Sequence, residues 1–192
     1  MRFFPSPATK LSQYVRSLVL GAVLLCANAG AWGAVYAYYS GALYEYTGSE
    51  TDTNKIVEDS TAGHWATASA YDFSLTGTIS SADTIIIHSA AALTLANGWT
   101  NAGTIINYGK LTTTGTFTNS GTIENRGTIT FENGLENGAS AIIKNYGTLD
   151  IKSGNAQNNG TVINYDSATI TGTPLTGNAS QTASTAPVDE SI

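Results

Sequence analysis

The side chains of this 192-residue chain best suited to chemistry are a handful of carboxylates: Glu124, Glu132, Glu136, Asp150 and Asp166. Carboxylates held close together cut polysaccharides by paired acid and base catalysis, so their spacing matters. Glu124 and Glu136 stand twelve apart and would stack in a chain that returns on itself at that interval. Glu132 and Asp150 stand eighteen apart, and a return at that longer interval would bring them together. His64 and His88 stand outside the stretch that carries these acids. No H-x-x-x-H or carboxylate–histidine spacing accompanies them, so no metal site is expected. The one cysteine, Cys26, lies near the start and offers no nucleophile to the body of the chain. The recurrent glycines are six apart with no Lys-Ser/Thr pair after them, unlike a phosphate cradle, and no aspartate recurs in each unit, unlike a calcium-binding repeat. Hydroxyls offer a second chemistry. Thr116-Phe117-Thr118 and Thr128-Ile129-Thr130, twelve apart, would present an ice-binding surface if they stacked on a two-sided coil, although threonine also simply suits an exposed strand. The expectation is a chain that is not an enzyme and takes no cofactor.

What would position these groups is a repeat of six. A large apolar side chain recurs at Leu93, Trp99, Ile105, Leu111, Phe117, Ile123 and Ile129. Two residues later stand Leu95, Asn101, Asn107, Thr113, Asn119, Asn125 and Phe131, and two before there is usually a glycine (Gly103, Gly109, Gly115, Gly121, Gly127). A helix cannot keep a stripe of that period on one face, and a long strand would not take a glycine in every cycle. A chain that turns a corner every six residues can. The fold class expected is all-β: a parallel β-solenoid, or β-helix, with six-residue sides and capping strands at its N-terminal end.

Alternation within each side turns the aliphatic residue and the asparagine inward and the threonine outward. Trp99, Ile105, Leu111, Phe117, Ile123 and Ile129 are therefore expected to line the core. Asn107, Asn119 and Asn125 would bond turn backbone and the equivalent amide one coil on. Glycine at the bend is expected to use positive φ. Three sides make a coil of eighteen and set Trp99 over Phe117 over Leu135, whereas two sides make a coil of twelve and stack Leu93, Ile105, Phe117 and Ile129. Both windings, left- and right-handed, fit the pattern.

Residues 1–29 read as an export signal. Arg2, Lys10 and Arg16 precede the apolar run from Leu18 to Ala27, and Ala27-Asn28-Ala29 is a cleavage site. Ala31-Trp32-Gly33 is a second one, so the mature chain starts at Gly30 or Ala34. This points to a secreted or cell-surface protein, with the periplasm as the alternative. Residues 30–92 hold the N-terminal cap and first strands. There Tyr36, Tyr38, Tyr44 and Tyr46 alternate, as a sugar platform or as a cover for the open end of the stack; the cap is favoured because a bare end invites aggregation. Residues 93–171 are the repeats, with extra residues at 134–138 and 153–159, and 172–192 form a disordered tail containing Pro174 and Pro187. The net charge is −6, and without the signal five basic residues face fourteen acidic ones, a balance of −9. Such a surface repels nucleic acid and anionic membranes. No segment is long and apolar enough to be a transmembrane helix.

Runs such as Asn101-Ala102-Gly103-Thr104-Ile105-Ile106-Asn107 and Asn119-Ser120-Gly121-Thr122-Ile123-Glu124-Asn125 resemble repeats of bacterial adhesins and autotransporter passengers. The resemblance covers roughly Leu93 to Thr171 and implies a structural or adhesive role with a glycan, matrix or surface-protein partner. Nothing after Gly172 resembles the membrane barrel of autotransporters, which leaves a free module, one held by a partner, or a fragment. Tyr108, Tyr146 and Tyr165, each in the sixth position of its unit, are the candidate binding residues, with corner packing as their alternative role.

Overall fold

The computed structural model describes residues 33–50, 56, 61, 63–165 and 167–183. The export signal and Asp166 lie outside the described residues. The described chain opens with a meander of β1 (Val35–Tyr39), β2 (Ala42–Tyr46) and β3 (Trp65–Ala68), paired antiparallel. Coils then follow. The first holds β4 (Gly77–Ile79), β5 (Thr84–Ile87) and β6 (Ala92–Leu95); the second β7 (Trp99–Asn101), β8 (Thr104–Asn107) and β9 (Lys110–Thr113). The third holds β10 (Phe117–Asn119), β11 (Thr122–Asn125) and β12 (Thr128–Phe131), and the fourth β13 (Leu135–Asn137), β14 (Ile142–Asn145) and β15 (Thr148–Ile151). The fifth comprises β16 (Ala156–Asn158), β17 (Thr161–Tyr165) and β18 (Thr169–Gly172), after which come β19 (Thr176–Gly177) and β20 (Gln181–Ala183).

Equivalent strands pair in parallel and build a three-walled β-solenoid. The first wall has nine strands, β20-β17-β14-β11-β8-β5-β1-β2-β3; the second has six, β19-β16-β13-β10-β7-β4; the third has five, β18-β15-β12-β9-β6. Trp99 lies beside Phe117 and Phe117 beside Leu135, so the chain is three-sided, and the two-sided coil of twelve is excluded. The lumen explains the choice. Trp99, Phe117 and Phe131 are 3%, 0% and 0% exposed, and the Phe117 and Phe131 rings, from different walls, meet at 5.6 Å. Burying each such residue contributes on the order of 1.5–3 kcal/mol. Ile105, Leu111, Ile123 and Ile129 complete the inner columns, each at most 1% exposed.

Corners vary in length. Narrow ones have two residues, as at Ser120-Gly121 and Arg126-Gly127. Wide ones close with a bond from the fourth residue's N–H to the first residue's carbonyl, at Ser80–Asp83, His88–Ala91, Gly138–Ala141 and Tyr165–Ala168. The extra residues of the fourth coil therefore sit at 138–141, after β13, rather than at 134–138, because Leu135 keeps its place beside Phe117.

Glycine in the repeat has a different cause from the one its position suggests. None of Gly103, Gly109, Gly115, Gly121 and Gly127 has positive φ. A Cβ on Gly121 would fall 2.0 Å from the Gly103 carbonyl oxygen, and one on Gly127 2.1 Å from that of Gly109. At these glycines successive coils approach too closely for a side chain. Positive φ falls at other bends: in the β1–β2 hairpin, at Ser40 (53°) and Gly41 (80°), the pair that a tight two-residue connection demands, and at the corners from the third wall to the second, at Asn97 (61°), Gly134 (108°) and Gly154 (79°).

Both ends differ from the repeats. At the start, Tyr36, Tyr38, Tyr71 and Phe73 gather over Trp99, with Tyr36–Tyr71 centroids 5.5 Å apart and Phe73–Trp99 5.4 Å. The Trp99 indole N–H donates to the Leu75 carbonyl at 2.6 Å. Gly77 makes room for that ring, since a Cβ there would lie 2.6 Å from it. At the other end, order continues past residue 172: β19 pairs with β16 and β20 with β17. A disordered tail from that point is thus corrected for residues 172–183. Their threonine-rich composition suits an added rung, with Thr176 beside Gln157 and Thr182 beside Asn164. Residues 184–192 lie outside the described residues.

Candidate functional site: the amide ladders and the corner column

Inside the solenoid run two files of asparagine amides. In one, each Nδ2 donates to the Oδ1 one coil on: Asn101 to Asn119, Asn119 to Asn137 (both 2.8 Å), and Asn137 to Asn158 (2.7 Å). In the other the order is Asn107, Asn125, Asn145 and Asn164, at 2.8, 2.8 and 2.7 Å. The second N–H of Asn107 reaches the Thr128 carbonyl at 3.1 Å, and that of Asn125 reaches the Thr148 carbonyl at 2.9 Å. Asn107, Asn119 and Asn125 are wholly buried, and a buried amide needs these partners. Both files point the same way. Their first members have no amide before them, because the first coil carries Ile79 and Ile87 in those places. Accordingly Asn101 Oδ1 and Asn107 Oδ1 have no hydrogen-bond partner, and neither has Thr113 Oγ in the third wall.

On the outside, the three tyrosines singled out by position come together in one file. Tyr108, Arg126, Tyr146 and Tyr165 follow equivalent asparagines or end the strand, at the corner leaving the first wall. The Arg126 guanidinium lies 5.9 Å from the Tyr108 ring centroid and 4.8 Å from that of Tyr146. Tyr146 and Tyr165 stack with centroids 4.2 Å apart and planes 9° apart. Towards the N-terminal end the same file continues through His88, which meets Tyr39 edge-on at 4.7 Å. Arg126 Nε also donates to Glu124 Oε1 at 2.8 Å. Burial pushes the Tyr146 hydroxyl well above its ordinary range, helped by Tyr165 and the Glu124 charge and opposed by Arg126.

This geometry limits what the file can bind. A sugar ring that stacks needs an open aromatic face, and the Tyr146 ring lies between Arg126 and Tyr165. Tyr146 therefore offers a ligand only its ring edge and hydroxyl, and all four side chains of the file are half-buried. Arg126 does not stand out in the sequence by residue type, and His88 stands out only as a histidine without metal-ligand spacing. The signal for Arg126 was its place, one full three-sided turn after Tyr108, once the coil length is known.

The other candidates are dispersed. Glu124 faces out from the first wall, Glu136 from the second and Asp150 from the third, so the Glu124–Glu136 stack does not form. Asp150 pairs with Lys152 and accepts the Thr171 hydroxyl at 3.0 Å; Lys152 above all holds its carboxyl below the usual range, and Asp150 in turn raises Lys152. Asp150 lies beside Thr130 and not beside Glu132, and it is paired with a lysine, so the two carboxyls do not form the facing pair a glycosidase uses. Thr116-Phe117-Thr118 and Thr128-Ile129-Thr130 belong to different walls and do not stack. The third wall does align Thr94, Thr112 and Thr130, but Asp150 breaks the column, and Lys110 breaks the one beside it. His88 Nδ1 accepts the Ala90 N–H at 3.2 Å, and His64 packs edge-on against Tyr46 at 5.9 Å. Among the described residues no group of three or more His, Cys, Asp or Glu gathers as metal ligands, and no helix is long and apolar enough to cross a membrane. No protein-family model, curated protein or solved structure matches the chain.

Proposed function

We propose that the protein is an exported bacterial β-solenoid with a structural or adhesive role, presenting its walls to a glycan, matrix or surface-protein partner. The observation that carries this reading is where the polar side chains go. Among the described residues, those that are buried are seven asparagines, all members of the ladders, and Thr113. The interior is thus devoted to holding the coils in register, and contact with other molecules falls to the walls. Those walls are rigid, repetitive and rich in hydroxyls, which suits many weak contacts along an extended polymer better than one tight pocket. The corner file of Tyr108, Arg126, Tyr146 and Tyr165 gathers aromatic edges and hydroxyls on the repeats themselves, and so is a first place to look for a contact. The signal-like segment from Met1 to Ala29 supports export. The test is a glycan array together with attachment assays on cells and matrix proteins, using the purified chain from residue 34 onward. Retention by a glycan, matrix or cell preparation, weakened by Tyr165→Ala, supports an adhesive wall. Absence of retention on every surface, with the fold intact, refutes adhesion.

A further inference from the structure

Asp83 closes the first wide corner, its N–H bonded to the Ser80 carbonyl at 3.0 Å. Its carboxylate accepts the backbone N–H of Ala34 on Oδ1 at 2.9 Å and the Tyr71 hydroxyl on Oδ2. The Tyr71 oxygen in turn accepts the Ser80 N–H at 3.2 Å. Among the described residues, no lysine or arginine pairs with Asp83. A half-buried carboxylate is thus held by two neutral donors, although a cationic donor would hold it about twice as strongly. One of those donors is the amide of Ala34, and Ala34 directly follows Ala31-Trp32-Gly33, one of the two sites at which the export signal reads as cleavable.

We propose that Gly33–Ala34 is the bond cut during export, and that the new α-ammonium of Ala34 is the counter-ion of Asp83. A signal peptidase hydrolyses the bond: the oxygen of water joins the Gly33 carbonyl carbon, the C–N bond breaks, Gly33 leaves as a carboxylate and the Ala34 nitrogen takes up protons. The inference rests on the export reading. The chain crosses the membrane unfolded, so burial of this bond in the folded protein does not hinder cutting. The fold then keeps the new terminus in place, with Thr84 N–H bonded to the Ala34 carbonyl at 2.9 Å and Val35 beside Thr84 at the start of the β1–β5 pairing. The ion pair clamps the capping meander to the first coil at its outermost point.

Two measurements test this. The full chain is expressed in a bacterial host, and the processed protein is read by intact mass and N-terminal sequencing. A start at Ala34 is expected. A start at Gly30 overturns the proposal and leaves export standing, with Gly33 retained against Ala82, whose carbonyl oxygen would lie 1.6 Å from any Cβ there. An uncut chain overturns both. Secondly, Asp83→Asn is compared in chains beginning at Ala34 with the α-amine free or acetylated. The fall in Tm is expected to be about twice as large with the free amine. Equal falls would show that no ion pair forms.

Discussion

Asn125→Ala strikes the amide ladder at its centre. Asn125 accepts from Asn107 Nδ2 at 2.8 Å and donates to Asn145 Oδ1 at 2.8 Å and to the Thr148 carbonyl at 2.9 Å. Alanine removes all three bonds in a place with no access to water. Each is worth about 0.5–1.5 kcal/mol net, and a stranded buried group costs about 1–3 kcal/mol. The damage is tempered because Asn107 keeps its bond to the Thr128 carbonyl and Asn145 Oδ1 keeps the Gly147 N–H at 3.3 Å. The expected loss is about 3–5 kcal/mol, a large part of the ~5–15 kcal/mol typical of a domain. Urea unfolding followed by circular dichroism measures it. Hydrogen exchange at the neighbouring coils shows whether unfolding starts there, since coils in a stack can open separately. Asn125→Asp separates bonding from volume. At neutral pH its carboxylate faces two acceptors and the variant should be worse than Asn125→Ala; on acidification the protonated acid donates one bond and stability should partly return. A loss below about 1 kcal/mol for Asn125→Ala, or no acid rescue for Asn125→Asp, would refute the claim that hydrogen bonding along the ladder holds the coils together.

The remaining predictions concern single features. Thr113→Val keeps the shape of a wholly buried side chain and removes a hydroxyl without a partner, so urea midpoints should rise by about 1 kcal/mol of stability; a fall would mean the hydroxyl is bonded. Gly127→Ala drives a methyl to 2.1 Å from the Gly109 carbonyl and should cost about 3 kcal/mol or more, whereas Gly41→Ala meets open space and costs only the ~1–2 kcal/mol of a left-handed residue; denaturation of the two side by side checks the contrast. The Tyr146 hydroxyl is raised in the folded chain, so its contribution is complete below about pH 10 and is lost as pH climbs through the higher folded value. Tyr146→Phe should therefore stay folded to higher pH than the parent in an alkaline titration read by tyrosinate absorbance.

The period of six was enough to establish a parallel solenoid, the inward residues and the amide files, because alternation along a strand is a local property. It left open how many sides close a coil. Twelve and eighteen are both multiples of six, and either keeps Ile123 and Asn125 facing in. Only packing decides: a lumen that takes Trp99, Phe117 and Phe131 needs three walls. The same blindness hid the corner file. Tyrosine stood out by type, but Arg126 joins Tyr108 to Tyr146 only when the coil length brings them side by side. The glycines repeat plainly in the sequence, yet their cause, a carbonyl about 2 Å from where a Cβ would be, belongs to the neighbouring coil. So does the direction of the amide files, with their unpaired oxygens at Asn101 and Asn107. Neighbours along the chain dictate which way a side chain points. Neighbours across coils, 18 to 21 residues away, dictate what it touches, and those contacts exist only once the chain has closed on itself.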